Sequence, residues 1–411
     1  MGLKRTRSLP ELVAPAGDWA SVRAAVESGA DSVYFGVKTL NMRAMAANFD
    51  ILEIKKVVQY CHAHKKKAYL TLNTVIKNSE IAKVRNILAE AKKAKVDAVI
   101  LWDMAVLALA KKSGLPIHLS TQASVSNVEA ITFFAKLGVK RMVLARECTL
   151  DDIRAIVKEI KKQKIRCAIE TFIHGAMCVS ISGRCFLSEY SFDKSANRGE
   201  CLQPCRREFL IRDVDGESEY ILGKDYVLSP KDLCTIDFID ELITAGISAF
   251  KIEGRMRSPE YIRTVVSVYR RALDAYSEGK LSARMKQEFK KELASVYTRG
   301  FSSGFYFGLP TEKDMSKALG HTHEKIYLGE VKKFYAKIGV ADVRVQSGAF
   351  KKGDTLLFIG HSTPALQTQV NEMQVDHVFV DAAPKGAAVG VKLPFAVRPK
   401  DKVFLWKAKD L

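Results

Sequence analysis

The sequence predicts an α/β fold: a TIM-like (β/α)8 barrel that carries a cysteine-bearing insertion, followed by a small antiparallel β-barrel domain. Eight short runs rich in β-branched residues alternate with helical patterns from Leu12 to about residue 275, which is the repeating βα signature. Roughly seventy residues separate the last two runs, far more than a usual βα loop. From about Lys325 onward, short alternating strands are broken by Gly and Pro.

The barrel strands are predicted from β-branched and aromatic runs that end at polar or glycine positions. They are LVAPAG (12–17), SVYFG (32–36), KAYLTLN (67–73), DAVILW (97–102), IHLSTQ (117–122), RMVLARE (141–147), CAIETFIHG (167–175) and AFKIEGR (249–255). Amphipathic periodicity predicts helices, among others, at 18–29, 79–96, 126–138, 149–164 and 259–279. Eight strands favour a closed barrel over an open sheet.

These patterns divide the chain into three parts. Residues 1–280 form the predicted barrel with its cysteine insertion at 176–230, residues 281–324 form a helical and polar connector, and residues 325–411 form the small β-barrel. Within the last part, residues 352–355 resemble the turn and strand of the second domain of elongation factor Tu. That resemblance suits a protein that contacts RNA.

The charge balance favours a polyanionic partner. The chain has 65 Lys and Arg residues against 46 Asp and Glu residues, a formal charge of +19, and the excess is spread along the sequence. Nucleic acid is the commonest polyanion in a cytoplasm. The alternative is a lysine-rich protein whose helix surfaces, such as residues 159–166, are merely solvated. No apolar run approaches the length of a membrane span or a signal peptide, so we expect a cytoplasmic protein without membrane contact.

Four of the eight cysteines are clustered in the insertion, with the spacing C-x6-C-x15-C-x3-C: Cys178, Cys185, Cys201 and Cys205. Four thiolates in one loop can hold a four-iron, four-sulfur cluster or a zinc ion. Zinc ribbons usually show two short knuckles and here only the second pair is tight, so the spacing favours the iron-sulfur cluster. The other thiols, which we expect to be buried small hydrophobes, are Cys61, Cys148, Cys167 and Cys234.

Polar side chains follow the predicted strands at the carboxyl ends, where the chemistry of such barrels takes place. They include Asn73, Asp103, Gln122, Arg146, Glu147, Glu170, His174, Lys251, Glu253 and Arg255. Lys251, Glu253 and Arg255 alternate, so they are predicted to point to one face, either toward a bound anion or as an internal ion-pair ladder. His174 is a candidate acid or base, a neighbour of the cluster, or a hydrogen-bonded barrel residue.

Signals for a nucleophile are poor. GFSSG (300–304) fits G-x-S-x-G literally, but it neither follows a core strand nor opens a helix. Proteolysis would require a nucleophile or a metal-bound water in the barrel mouth.

The run ETFIHGAMCVSISGRCFLS (170–188) resembles the signature of the U32 family of collagenase-like peptidases, which has RNA- and ubiquinone-hydroxylating relatives. LVAPAGD, ADSVYFG, Asn41 with Arg43, STQASVSN and KIEGRMRSPEY also match, so the resemblance covers the whole chain. Members with four such cysteines resemble oxygen-independent hydroxylases. The chain is most similar to the branch that converts the wobble uridine of tRNA to 5-hydroxyuridine, with prephenate as the hydroxyl donor.

The resemblance implies that the four clustered cysteines are the ligands of a 4Fe-4S cluster. It also implies residues that contact the RNA and prephenate or a similar dicarboxylate. The candidate catalytic residues among them are His174, Lys251, Glu253 and Arg255. The candidate substrate-binding residues are Tyr34 and Arg43, and Gln122 and Arg146 join them as strand-end residues. Alternatives are a U32-type peptidase, an rRNA hydroxylase and a non-enzymatic RNA-binding accessory protein. The sequence does not decide the oligomeric state.

Overall fold

The computed structural model describes residues 9–207, 209–216, 219–222, 228–316 and 320–409. The barrel strands are β1 Glu11–Pro15, β2 Ser32–Gly36, β3 Lys67–Leu72, β4 Ala98–Leu101, β5 Ile117–Leu119, β6 Arg141–Val143, β7 Ala168–Gly175 and β8 Ala249–Ile252. The helices are α1 Trp19–Glu27, α2 Ile54–Ala63, α3 Ile81–Ala94, α4 Met104–Lys112, α5 Val128–Lys136, α6 Leu150–Lys162, α7 Leu187–Phe192, α8 Ile239–Thr244, α9 Pro259–Ser277 and α10 Ala283–Leu293. The predicted domain limits at residues 1 and 411 lie outside the described residues.

The eight strands pair in parallel in chain order, and β8 pairs with both β1 and β7, so the sheet closes on itself. This confirms the predicted TIM-like barrel. Apolar side chains from the strands and the surrounding helices form one large core, which includes Leu12, Phe35, Leu70 and Ile173. The carboxyl ends of all eight strands meet at one rim, where side chains from distant parts of the sequence come together.

Helix limits follow from local capping. Helix α6 begins after Thr149, whose hydroxyl accepts from the amide of Asp152 while the Asp152 carboxylate accepts from the amide of Thr149. Lys161 and Lys162 occupy its last turn, where positive charge is favourable. The helix lies within the predicted range 149–164, because capping and periodicity are both local features of the sequence.

The insertion and the predicted connector both pack on the barrel. Strand Asp232–Cys234 pairs antiparallel with β7, and Phe301–Ser302 pairs parallel with Asp232–Cys234. The insertion also contains a hairpin of strands Phe209–Arg212 and Glu219–Leu222. Leu293, Val296 and Tyr306 are buried in the barrel core, so much of the region expected to be a connector belongs to the barrel unit.

The C-terminal region is a curled antiparallel sheet, in agreement with the predicted second domain. Its strands, in spatial order, are Leu366–Gln369, Thr355–Ile359, Lys402–Ala408, His323–Tyr335, Val340–Val345, Ala388–Lys392, Met373–Val375 and Val378–Phe379. Two short strands, Phe350–Lys351 and Ala382–Ala383, pair separately. The His361 ring lies 5.7 Å from the Trp19 ring of α1, and Lys325 pairs with Glu260 of α9 at 2.7 Å. Within the described ranges, every helix is too short or too polar to span a lipid bilayer.

Candidate functional site

A cavity of about 240 Å³ lies at the carboxyl ends of the barrel strands, beneath the cysteine insertion. Thr71 and Asn73 line it from the end of β3, Gln122 from the segment after β5, and Arg146 from the segment after β6. The insertion supplies the opposite wall, which begins at Ala176 directly after β7. The barrel therefore holds one wall rigidly, and the other wall depends on how the insertion is anchored.

All four clustered cysteines, Cys178, Cys185, Cys201 and Cys205, line this cavity and are half-buried. Burial raises the pKa of the Cys205 thiol, and the other three thiols raise it further although the neighbouring Arg206 lowers it. Cys205 is therefore close enough to each of the other three thiols to interact with it electrostatically.

Backbone amides donate to two of these sulfurs. The amide of Leu187 lies 3.3 Å from Cys185 Sγ, and the amide of Gln203 lies 3.4 Å from Cys201 Sγ. Such donors stabilise thiolate charge and tune iron-sulfur centres. Across the described ranges, no three His, Cys, Asp or Glu side chains gather as they would around a single metal ion.

The insertion is anchored by contacts with several strand ends. The backbone of Gly199 packs directly on residues 41–44, because a Cβ at Gly199 would lie 2.1 Å from the Asn41 carbonyl oxygen. Gly199 also has φ +87°, a conformation that favours glycine. The Arg198 guanidinium pairs with Glu80 and donates to the Val75 carbonyl at 2.5 Å. These contacts fix Cys201 relative to the barrel.

The segment beneath Gly199 carries Arg43, which reaches into the cavity. Arg43 Nη2 lies 2.8 Å from Glu253 Oε1, and Arg43 Nε lies 3.1 Å from the same oxygen. The charge of Glu253 raises the pKa of Arg43. Burial opposes ionisation of Glu253, but Arg43 and Arg146 outweigh it and hold the pKa of the carboxyl below its usual value. Glu253 is thus an ionised group within a cationic surround.

Two other arginines have capacity left for a ligand. The Arg146 guanidinium lies 4.3 Å from the Phe172 ring centroid, and its Nε is buried without a hydrogen-bond partner in the described structure. Burial lowers the pKa of Arg146. Arg255 donates to Thr71 Oγ1 at 2.8 Å, and burial lowers its pKa to about 10. Gln122 Oε1, in the same lining, is likewise buried and unpartnered among the described residues.

Lys251 stands at the floor of the cavity. Its ammonium lies 2.7 Å from Glu170 Oε1 and 4.5 Å from the centroid of the Tyr34 ring. Burial lowers the pKa of Lys251 although Glu170 acts in the opposite direction. Glu170 also pairs with Arg141 at 3.0 Å, and the Tyr34 hydroxyl donates to the Ile252 carbonyl. Lys251 therefore belongs to an internal ion-pair ladder and lines the cavity as well.

This geometry can be compared with known proteins. A model of Peptidase family U32 matches residues 17–316. The chain belongs to peptidase family U32. The family expected from residues 170–188 is therefore confirmed, and the match covers both the barrel and the cysteine insertion.

Three relatives show how the names within family U32 divide. The chain is 42% identical over 408 residues to an uncharacterized protease of Methanocaldococcus jannaschii. The alignment covers 97% of this chain and 98% of the relative. The chain is 38% identical over 409 residues to a collagenase of Porphyromonas gingivalis, with coverage of 97% and 98%. It is 35% identical over 360 residues to tRNA hydroxylation protein P1 of Bacillus subtilis, with coverage of 85% and 83%.

His174 does not line the cavity of this U32 protein. It is 1% exposed, and its Nδ1 lies 3.3 Å from the Tyr269 hydroxyl. The ring centroids of Tyr261 and Phe301 lie 6.0 Å and 5.7 Å from the ring centroid of His174. Burial lowers the pKa of His174 to about 4. The bulge in the pairing of β7 with β8 falls beside His174 and shifts the strand register there. The structure therefore places His174 behind the cavity wall, and the strand-end candidates Asp103, Glu147 and Glu170 also lie outside the lining. The predicted site residues that do line the cavity are Tyr34, Arg43, Asn73, Gln122, Arg146, Lys251, Glu253 and Arg255.

Sequence reasoning missed several polar residues of the lining, among them Arg206, Arg257 and Thr71. Arg206 directly follows Cys205, and that adjacency could have marked it. Its guanidinium donates to the Met177 carbonyl at 2.6 Å, and its Nε is buried without a partner among the described residues. Of the thiols outside the cluster, Cys61, Cys148 and Cys234 are buried as predicted, whereas Cys167 is half-buried.

Proposed function

We propose that this protein is an RNA-hydroxylating enzyme that holds a 4Fe-4S cluster on Cys178, Cys185, Cys201 and Cys205. Its proposed substrate is the wobble uridine of tRNA, which it converts to 5-hydroxyuridine with prephenate as the hydroxyl donor. The observation that carries the proposal is one cavity lined by four thiols on one side and by a cationic surround on the other.

Two observations support a cluster over a single zinc ion. Each thiolate of a 4Fe-4S cluster binds a different iron, so the four sulfurs stand further apart than around one ion. The lining has four half-buried thiols. Among the described residues, no three His, Cys, Asp or Glu side chains lie close enough together to bind one metal ion. When bound, a cluster would supply electron transfer. The proposed reaction exchanges a base C–H and a donor C–OH for a base C–OH and a donor C–H, so the donor gains the two electrons that the base loses. Amides donating to Cys185 and Cys201 would stabilise the charge of the cluster.

The cations of the cavity suit a small dicarboxylate. Arg146 and Arg255 have no carboxylate within ion-pair distance in the described ranges, whereas Arg43 is engaged by Glu253. Guanidinium groups bind carboxylates through paired, charge-assisted hydrogen bonds. Arg146 and Arg255 would therefore orient an anionic donor. Glu253 is already paired with Arg43, which leaves Arg146 and Arg255 for the donor.

Support for an RNA substrate comes from the relatives and from the charge. Besides the tRNA hydroxylation protein of Bacillus subtilis, the chain resembles a 23S rRNA 5-hydroxycytidine C2501 synthase of Escherichia coli, at 34% identity over 332 residues. That match covers 76% of this chain and 50% of the relative. The formal charge of +19 suits a folded polyanion.

The test combines a gene deletion with nucleoside analysis by mass spectrometry. We expect 5-hydroxyuridine-derived nucleosides to disappear from tRNA and to return when the wild-type gene is restored, but not when a Cys201→Ser gene is restored. Unchanged tRNA nucleosides would rule out this substrate. If a hydroxylated nucleoside disappears from ribosomal RNA instead, the chemistry stands and the substrate assignment fails.

A peptidase is the second candidate, because the chain is 38% identical to a collagenase over nearly its full length. The Ser302 hydroxyl of the GFSSG motif does not line the cavity and donates to Asp314 Oδ1 at 2.7 Å. Cleavage of denatured collagen that survives repeated purification and disappears in an Arg146→Ala variant would support this candidate. Cleavage that is lost on purification would exclude it.

A further inference from the structure

Two aromatic side chains stand in solvent beside the cavity. Phe186 is 73% exposed and Tyr190 is 92% exposed. Aromatic rings contribute large apolar areas that soluble proteins usually bury, so an exposed pair is informative. The amide of Tyr190 donates to the carbonyl of Phe186 at 2.8 Å, which places the two residues one helical turn apart at the start of α7. Residues with this spacing are neighbours on one side of a helix.

The pair lies at the rim of the cavity. Cys185 and Leu187, on either side of Phe186 in the chain, both line the cavity, and so does Ser188. The exposed rings therefore stand next to a predicted cluster ligand and outside the enclosed space.

Exposed guanidinium groups accompany the rings. Arg184 precedes Cys185, lies 5.9 Å from the Trp102 ring centroid and donates to Ser124 Oγ at 2.7 Å. Arg207 follows the cluster segment and lies 4.7 Å from the Phe192 ring centroid. Aromatic faces interleaved with arginines are the recognition surface of proteins that bind unpaired nucleotides, because rings stack on bases and guanidinium groups contact phosphates.

Building on the proposed function, we propose that Phe186 and Tyr190 form a stacking platform for the bases that flank the base entering the cavity. The substrate is then an unpaired stretch of RNA. A base inside a duplex cannot reach an enclosed cavity, so it must be unpaired or turned out of its stack. Arg184 and Arg207 contact the phosphates on either side. An unfolded peptide would also cover apolar rings, and the acidic Glu189 lies between them in the chain. The cavity behind the rings has more basic than acidic side chains in its lining, however, and Arg184 and Arg207 flank the rings in the sequence, which favours a polyanion.

The test measures binding of fluorescent RNA to the full-length protein by anisotropy. The probes are a hairpin with a uridine-containing loop, the same strand annealed to its complement, and a denatured collagen peptide. The variants are Phe186→Ala, Tyr190→Ala and the pair Phe186→Tyr with Tyr190→Phe, which keeps both rings. Phe133→Ala is the matched control, because Phe133 is 58% exposed on α5 and does not line the cavity. Circular dichroism and thermal melting establish that each variant is folded.

We expect each alanine variant to weaken hairpin binding by roughly 5- to 150-fold, and the ring-keeping pair and the control to bind as the wild type does. Hairpin affinity that is unchanged in both alanine variants would overturn the platform. Tighter binding of the duplex, or rim-dependent binding of the collagen peptide, would overturn the assignment of unpaired RNA. Loss of hydroxylation in Cys201→Ser together with unchanged binding in the alanine variants would refute the platform alone. Wild-type protein that restores no hydroxylated nucleoside would refute the proposed function, whatever the binding result.

Discussion

Replacing Gly199 by alanine should separate the cysteine insertion from the barrel. A Cβ at this position would lie 2.1 Å from the Asn41 carbonyl oxygen, 2.9 Å from the Ala44 amide and 3.1 Å from the Arg43 amide. Ordinary contact begins near 3.4 Å, so the Cβ and the Asn41 oxygen must move apart by about 1.3 Å (3.4 minus 2.1). These obstacles are backbone atoms, which no rotamer change can move aside. The perturbation therefore acts on the packing between the two walls of the site.

The size of the effect can be worked out against a control. Gly279 also has positive φ, +70°, but a Cβ there would meet no atom within 4 Å. Gly279→Ala should cost only the left-handed backbone penalty, about 1 kcal/mol. Gly199→Ala should cost this penalty plus overpacking of about 1–3 kcal/mol, for a total of roughly 2–4 kcal/mol.

The assay measures the free energy of unfolding in urea and the iron content of each variant after anaerobic purification. We expect Gly199→Ala to lose both stability and most of its iron, because displacement of the insertion also shifts Cys201. Gly279→Ala should keep its iron. Equal stability and equal iron content in the two variants would refute the claim that Gly199 fixes the insertion on residues 41–44.

Three further predictions follow from the site and its surroundings. Arg43→Ala should lower the free energy of unfolding in urea by about 3 kcal/mol, because Glu253 is left as a buried charge without its partner. Adding Glu253→Gln should restore much of that loss. A double variant that is no more stable than Arg43→Ala would refute the pairing. The pKa of His174 is about 4 in the folded protein, against an ordinary value of 6.5, because the buried imidazole is kept neutral. The free energy of unfolding should therefore be unaffected by His174 above pH 6.5, and it should fall by up to about 3 kcal/mol as the pH drops toward 4 and the unfolded chain binds a proton there. His174→Gln should flatten that slope in pH-dependent unfolding; an unchanged slope would contradict this assignment. Cys201→Ser should lose visible absorbance whereas Cys167→Ser, outside the cavity, keeps it, and equal absorbance would exclude Cys201 as a ligand.

The sequence predicts the barrel well because its signals are local. Strand runs and helix periodicity are properties of neighbouring residues, and each predicted strand overlaps an observed one. The register of β7 with β8 is not local, because a bulge beside His174 decides which side chains face the cavity. The position of His174 at the end of its strand predicts a site residue. The bulge is not visible in the sequence, and the structure places His174 behind the cavity wall.

The composition of the site was predictable in part. Lys251, Glu253 and Arg255 alternate along one segment, and the structure brings all three into the cavity. Arg257 continues the same alternation, but it lies beyond the predicted strand and was missed. Packing of the predicted connector on the barrel was also missed, although Met285, Phe289, Leu293 and Val296 recur at helical spacing. That period marks an apolar helix face, but it does not say which surface the face packs on, and the structure places it against the barrel core.

The central claim is that four thiolates of this chain hold inorganic iron and sulfide. Measuring iron and acid-labile sulfide per chain after anaerobic purification tests it most directly. We predict brown protein with about four irons and about four sulfides per chain, both lost in Cys201→Ser. Colourless protein that contains one zinc per chain, or no metal at all, would contradict the claim.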